Sequence, residues 1–92
     1  MAATIVVVLL GLFFDVSTDE WLWILVAIGA VWYSEAVNTA IERLADAITL
    51  EQNPRIKIAK DCAAAGVLIV GLMALIVGLV IFIPRIGQWW FG

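Results

Sequence analysis

Apolar residues dominate three stretches of this chain, and the second changes character halfway along. Residues 2–14 are almost wholly apolar, and residues 62–83 contain neither charge nor proline. Residues 21–33 are apolar and carry Trp21, Trp23 and Trp32. From there polar side chains return at helical spacing. At about 100° per residue, Glu35, Asn38, Glu42 and Asp46 share a sector of roughly 80°. Between them stand small or apolar residues (Ala36, Val37, Ala40, Ile41, Leu44, Ala45, Ile48). The pattern predicts three helices, over about 2–14, 21–48 and 57–83. Asn53-Pro54 marks the break between the second and third.

Length then separates the three. Residues 62–83 reach about 33 Å, enough to cross a hydrocarbon core of about 30 Å. The second helix is expected to cross and then leave the membrane as it turns amphipathic, its polar face lining a cleft between helices. Residues 2–14 reach only about 20 Å. They lack the basic start and small-residue cleavage site of a signal peptide. A membrane helix missing its N-terminal turns is expected instead.

Composition fits a membrane protein. With 65% hydrophobic and 14% charged residues, the 92-residue chain has more apolar surface than a soluble domain of that size can hide. The expected fold is all-α, a single membrane domain with three transmembrane helices per subunit. Loop charges orient it: Asp15, Asp19 and Glu20 occupy the first connection, while Arg43, Arg55, Lys57 and Lys60 surround the second. By the positive-inside rule the second connection and the N-terminus are cytoplasmic and the C-terminus is outside. Arg85 lies on the other side but is outnumbered. Trp89, Trp90 and Phe91 should form an outer interfacial belt with Trp21 and Trp23. The net charge of −3 is dispersed, and nothing points to nucleic acid. One cysteine excludes an intrachain disulfide, and Cys62 reads as a packing residue.

Small residues along the third helix (Ala64, Gly71 and Gly78 at intervals of seven, with Ala74) suit close helix approach in lipid. Three short helices cannot enclose four polar side chains within one subunit. An obligate oligomer, with polar faces meeting at subunit boundaries, is therefore expected.

The available chemistry is narrow. Histidine is absent, which removes His-based acid–base work and His-ligated zinc, and no phosphate-binding glycine loop is present. Carboxylates, one asparagine and the Lys60-Asp61 pair remain. Carboxylate oxygens suit Mg²⁺, which binds one or two of them together with substrate phosphates. A lysine can offset phosphate charge, and a carboxylate at bilayer depth can serve as a general base toward a hydroxyl. Those are the parts of a phosphoryl-transfer site. An ion-coupled transporter using Glu35 draws on the same inventory, as does a structural polar seam. Lys60-Asp61, at the cytoplasmic membrane surface, favours a nucleotide-phosphate site. Ser34 and Thr39 read as residues that bond the local backbone.

Glu35-x-x-Asn38-Thr39-Ala40-Ile41-Glu42, then Asp46, then Ala59-Lys60-Asp61 resembles the prokaryotic diacylglycerol kinase family, which includes the undecaprenol kinases of Gram-positive bacteria. The Ile81-Phe82-Ile83-Pro84-Arg85-Ile86 ending is similar to the undecaprenol-kinase-type members. The resemblance covers residues 19–86. It implies a homotrimeric kinase of the bacterial cell membrane that moves the γ-phosphate of MgATP to a lipid hydroxyl at the cytoplasmic face. By motif, Glu35 is the expected general base, and Asn38 orients that base or the phosphate. Glu42 holds Mg²⁺ and ATP, and Asp46 supports the polar network. Lys60 and Asp61 contact the nucleotide. Glu51, Gln52 and Asn53 match the loop bordering it, although Gln52-Asn53 replaces the family's aromatic-His pair. Family members also carry a surface helix with a second metal-binding Glu before the first membrane helix. This chain starts inside that membrane helix, so weak or absent kinase activity is expected of it. Full MgATP-dependent turnover would refute that. A non-catalytic membrane scaffold of the same fold is the other reading.

Overall fold

A computed structural model describes residues 2–48 and 51–92 as helices and their connections. Helix α1 spans Ala2–Phe14, α2 spans Thr18–Ile48 and α3 spans Pro54–Phe91. Helix α1 has the bounds the sequence pattern gives; α2 and α3 differ from it only at their ends, and each difference has a local cause.

Helix α2 begins three residues before the expected start because Ser17 and Glu20 close a capping box. The Glu20 amide donates to Ser17 Oγ (3.2 Å) and the Ser17 amide donates to Glu20 Oε1 (3.0 Å). Just upstream, α1 ends in a Schellman turn. The Val16 amide donates to the Gly11 carbonyl and the Asp15 amide to the Leu12 carbonyl, with Asp15 at φ 51°. Aspartate tolerates that left-handed conformation better than most residues. These two motifs turn the chain back within three residues.

Asn53 caps α3. Its side-chain oxygen accepts from the Arg55 amide (2.9 Å) and the Ile56 amide (3.4 Å), and Pro54 occupies the first helical position. The helix therefore starts at Pro54 rather than 57. It also passes through Pro84 to Phe91, beyond the expected end at 83. A proline removes one backbone bond, but the Arg85 side chain anchors the helix there. Its guanidinium bonds Glu20 through Nε and Nη2 and donates from Nη1 to the Phe14 carbonyl (3.3 Å). Arg85 is thus paired with Glu20. The same contact ties the ends of all three helices together.

Helices α2 and α3 form an antiparallel hairpin, joined at one end by Arg85–Glu20 and at the other by Lys60–Asp46. Helix α1 lies along the Arg85 end. There Val16, Ile24, Ile81 and Phe82 form the small buried cluster, flanked by Phe14 and Trp21. Higher up, the Trp32 indole donates to Thr4 Oγ1 (3.0 Å). The particle measures 58 × 20 × 17 Å. Its long axis is close to the roughly 57 Å of 38 helical residues, so α3 runs nearly the length of the molecule.

Most large apolar side chains point outward. Leu68, Met73, Ile76 and Val80 on α3 and Leu25 and Val26 on α2 are all exposed. A soluble protein would bury such a surface, whereas lipid or neighbouring membrane helices satisfy it. Helices α2 and α3 are each long and apolar enough to cross a membrane, while α1 is shorter.

Gly11 is the tightest packing point. A Cβ there would fall 2.5 Å from Cη2 of the Trp21 ring. Gly11→Ala must displace that ring and should cost about 1–3 kcal/mol, typical of overpacking. Thermal unfolding in detergent should record the loss. The additional change Trp21→Leu should recover it, and a Gly11→Ala variant as stable as the parent would contradict the packing.

Candidate functional site

The polar face of α2 occupies the C-terminal half of the helix. Measured from Trp21 at about 1.5 Å per residue, Glu35 lies about 21 Å along the helix and Asn38 about 26 Å. Glu42 lies at about 32 Å and Asp46 at about 38 Å. With a hydrocarbon core of about 30 Å beginning near Trp21, the first two fall inside it. Glu42 sits at the boundary and Asp46 beyond.

The helix explains this arrangement without strain. Glu35, Asn38, Glu42 and Asp46 follow three- and four-residue steps, which keep them on one side. Glu35, Glu42 and Asp46 are exposed and Asn38 is half-buried. The Asn38 carbonyl oxygen is itself buried and has no hydrogen-bond partner among the described residues. An unmet buried acceptor costs about 1–3 kcal/mol, so the group is poorly explained by stability alone. Ser34 does what its local reading expects, donating from Oγ to the Val31 carbonyl (2.9 Å).

Where α2 gives way to α3, a cleft of about 470 Å³ opens. It is lined by Asp46, Glu51, Gln52, Asn53, Pro54, Ile56, Lys57 and Lys60. Five of the residues singled out in the sequence (Asp46, Glu51, Gln52, Asn53 and Lys60) are therefore brought together. Glu35, Asn38, Glu42 and Asp61 do not line it. The first three continue from the cleft along α2 toward the membrane, and Asp61 is exposed on α3.

Lys60 and Asp46 are engaged with each other in the cleft. Lys60 Nζ donates to Asp46 Oδ1 at 2.9 Å, with the two side chains 36% and 55% exposed. At that exposure the pair adds only about 0–1 kcal/mol to stability. It holds the lysine ammonium one helical turn beyond Glu42. Asn53 spends its side-chain oxygen on the α3 cap, which leaves its amide nitrogen toward other partners.

Lys57 lines the cleft but entered the sequence reading only as a loop charge. Its spacing of three from Lys60 was the available signal, since such residues share a helix face.

Among the described residues no group of three or more Cys, Asp or Glu side chains is placed to hold a metal ion. The donors present suit a cation that keeps most of its water and phosphate ligands and takes one carboxylate from the protein. That is the ordinary habit of Mg²⁺ in nucleotide sites.

The family model for prokaryotic diacylglycerol kinase matches residues 1–82. The undecaprenol kinase of Bacillus subtilis (strain 168) is 39% identical over 85 residues, covering 92% of this chain and 69% of that protein. No solved structure gives a significant match. The α2 polar face and the Lys60 end of the cleft both lie inside the matched span, and the chain belongs to the prokaryotic diacylglycerol kinase family.

Proposed function

We propose that this chain is a membrane lipid kinase that transfers the γ-phosphate of ATP to a lipid hydroxyl at the cytoplasmic face. The carrying observation is the continuity of the α2 face. It runs from a cleft lined by charged side chains along α2 to Glu35 within an apolar helix long enough to cross a membrane, in a chain of a lipid-kinase family.

The residues divide the work by depth. The lipid hydroxyl approaches from the bilayer, and Glu35 accepts its proton as the oxygen attacks the γ-phosphorus. The bond to the β-phosphate bridging oxygen breaks and ADP leaves. Asn38 orients the carboxylate or the phosphoryl oxygens. Lys60 offsets phosphate charge, supported by Asp46, and Asp61 adds a polar contact. Glu51, Gln52 and Asn53 border the nucleotide. Glu42 would hold Mg²⁺ arriving with the nucleotide, and the metal would offset charge on the transferring group.

The 92 residues act as one membrane unit whose three helices all lie in the bilayer, with the cleft cytoplasmic and the C-terminus outside. Exposed apolar helix faces and the unmet Asn38 acceptor support an oligomer, a trimer by family, in which neighbouring subunits complete the site. The named relative supports undecaprenol as the lipid.

The test is transfer of radiolabelled γ-phosphate from MgATP to undecaprenol and to diacylglycerol in mixed micelles. Whatever its absolute rate, transfer should label undecaprenyl phosphate faster than phosphatidic acid. Nucleotide binding without label in either lipid would instead support the scaffold reading.

A further inference from the structure

The two lysines of the cleft are not equivalent. Lys57 and Lys60 stand one turn apart on α3 and both line it, together with Asp46 and Glu51. Lys60 is bonded to Asp46. The Lys57 ammonium has no ion-pair or hydrogen-bond partner among the described residues.

The helix N-terminus cannot substitute for it. Pro54 has no amide hydrogen, the Arg55 and Ile56 amides are taken by Asn53 Oδ1, and the Lys57 amide donates to the Asn53 carbonyl. A phosphate entering here meets no spare backbone donor in the first turn. Charge balance points the same way. The cleft holds two acids and two bases, so without Lys57 it would be net acidic and would repel a polyphosphate. A lysine on its four-carbon stem is a mobile point charge suited to capture.

We propose that Lys57 is a phosphate-binding residue of the nucleotide, engaging the polyphosphate while Lys60 is held by Asp46. This rests on the kinase reading above. A phosphate group could come from a nucleotide or from an anionic lipid headgroup; the kinase reading commits the proposal to the nucleotide, and the experiment separates the two.

The experiment measures displacement of a fluorescent ATP analogue by ATP with Mg²⁺, on the full chain in zwitterionic micelles. Circular dichroism confirms helicity in each variant. Lys57→Ala and Lys57→Gln should raise the Kd by about 5- to 20-fold, a loss that shrinks at high salt. Lys57→Arg should restore affinity to within about threefold, and Arg55→Ala, one charge removed outside the cleft, should change it by less than about twofold. Unchanged affinity in Lys57→Ala would overturn the proposal. So would an equal loss in Arg55→Ala, which would mean only a diffuse positive field. An effect of Lys57→Ala seen only after adding phosphatidylglycerol would assign the lysine to lipid headgroups and overturn it as well. An unsubstituted chain that binds no nucleotide would remove the kinase reading itself, an outcome distinct from the others.

Discussion

Glu35→Gln should lower phosphoryl transfer to the lipid by about 10²- to 10⁴-fold, the usual worth of a positioned general base. The substitution keeps the shape of the side chain and its hydrogen-bonding reach but removes its ability to take a proton. Glu35 is exposed on α2, so the change should alter stability by no more than about 0.5 kcal/mol. Nucleotide affinity should stay within about threefold, because Glu35 does not line the cleft. The measurement is the initial rate of lipid phosphorylation at saturating MgATP, alongside nucleotide binding. A rate close to that of the parent would place the base elsewhere and undo the division of labour along α2. Loss of binding together with rate would make Glu35 part of the nucleotide site.

Lys60→Ala should weaken nucleotide binding by about 10- to 100-fold. A hydrogen bond to a charged group contributes about 1.5–3 kcal/mol, and each 1.4 kcal/mol is a factor of ten. Two effects combine in this variant. The phosphates lose a cation, and Asp46 loses its partner and adds repulsion. The double change Lys60→Ala with Asp46→Asn should therefore recover part of the affinity. Folding should be nearly indifferent, because an ion pair this exposed adds only about 0–1 kcal/mol. Titration calorimetry of each variant with MgATP would check the sequence of affinities. A Lys60→Ala variant that binds as tightly as its parent would show that the Lys60–Asp46 pair serves only to join the hairpin.

How much of this was legible in the sequence depends on the range of each interaction. The polar face of α2 follows from steps of three and four, and helical geometry leaves such residues little choice of side. The break at Asn53-Pro54 is equally local, since cap and first-turn proline act within three residues. The capping box at Ser17 and Glu20 is legible by the same rule, and it starts α2 three residues before the apolar pattern does. Pro84 misled in the opposite sense. It reads as a helix end, yet α3 continues through it.

The amino-acid order alone therefore determined an apolar helical chain, the spacing of its carboxylates and a family motif. Tertiary structure decided which charges are already committed. Arg85 meets Glu20 across 65 residues and Lys60 meets Asp46 across 14, while Lys57, in the cleft at the Lys60 end, has no such partner among the described residues. Those pairings depend on the register in which α3 packs against α2. Register is set by side-chain packing along the whole hairpin, whereas helical periodicity is a property of each few residues. A sequence pattern can put a lysine on a face, but only the packed hairpin shows whether a carboxylate is waiting opposite it.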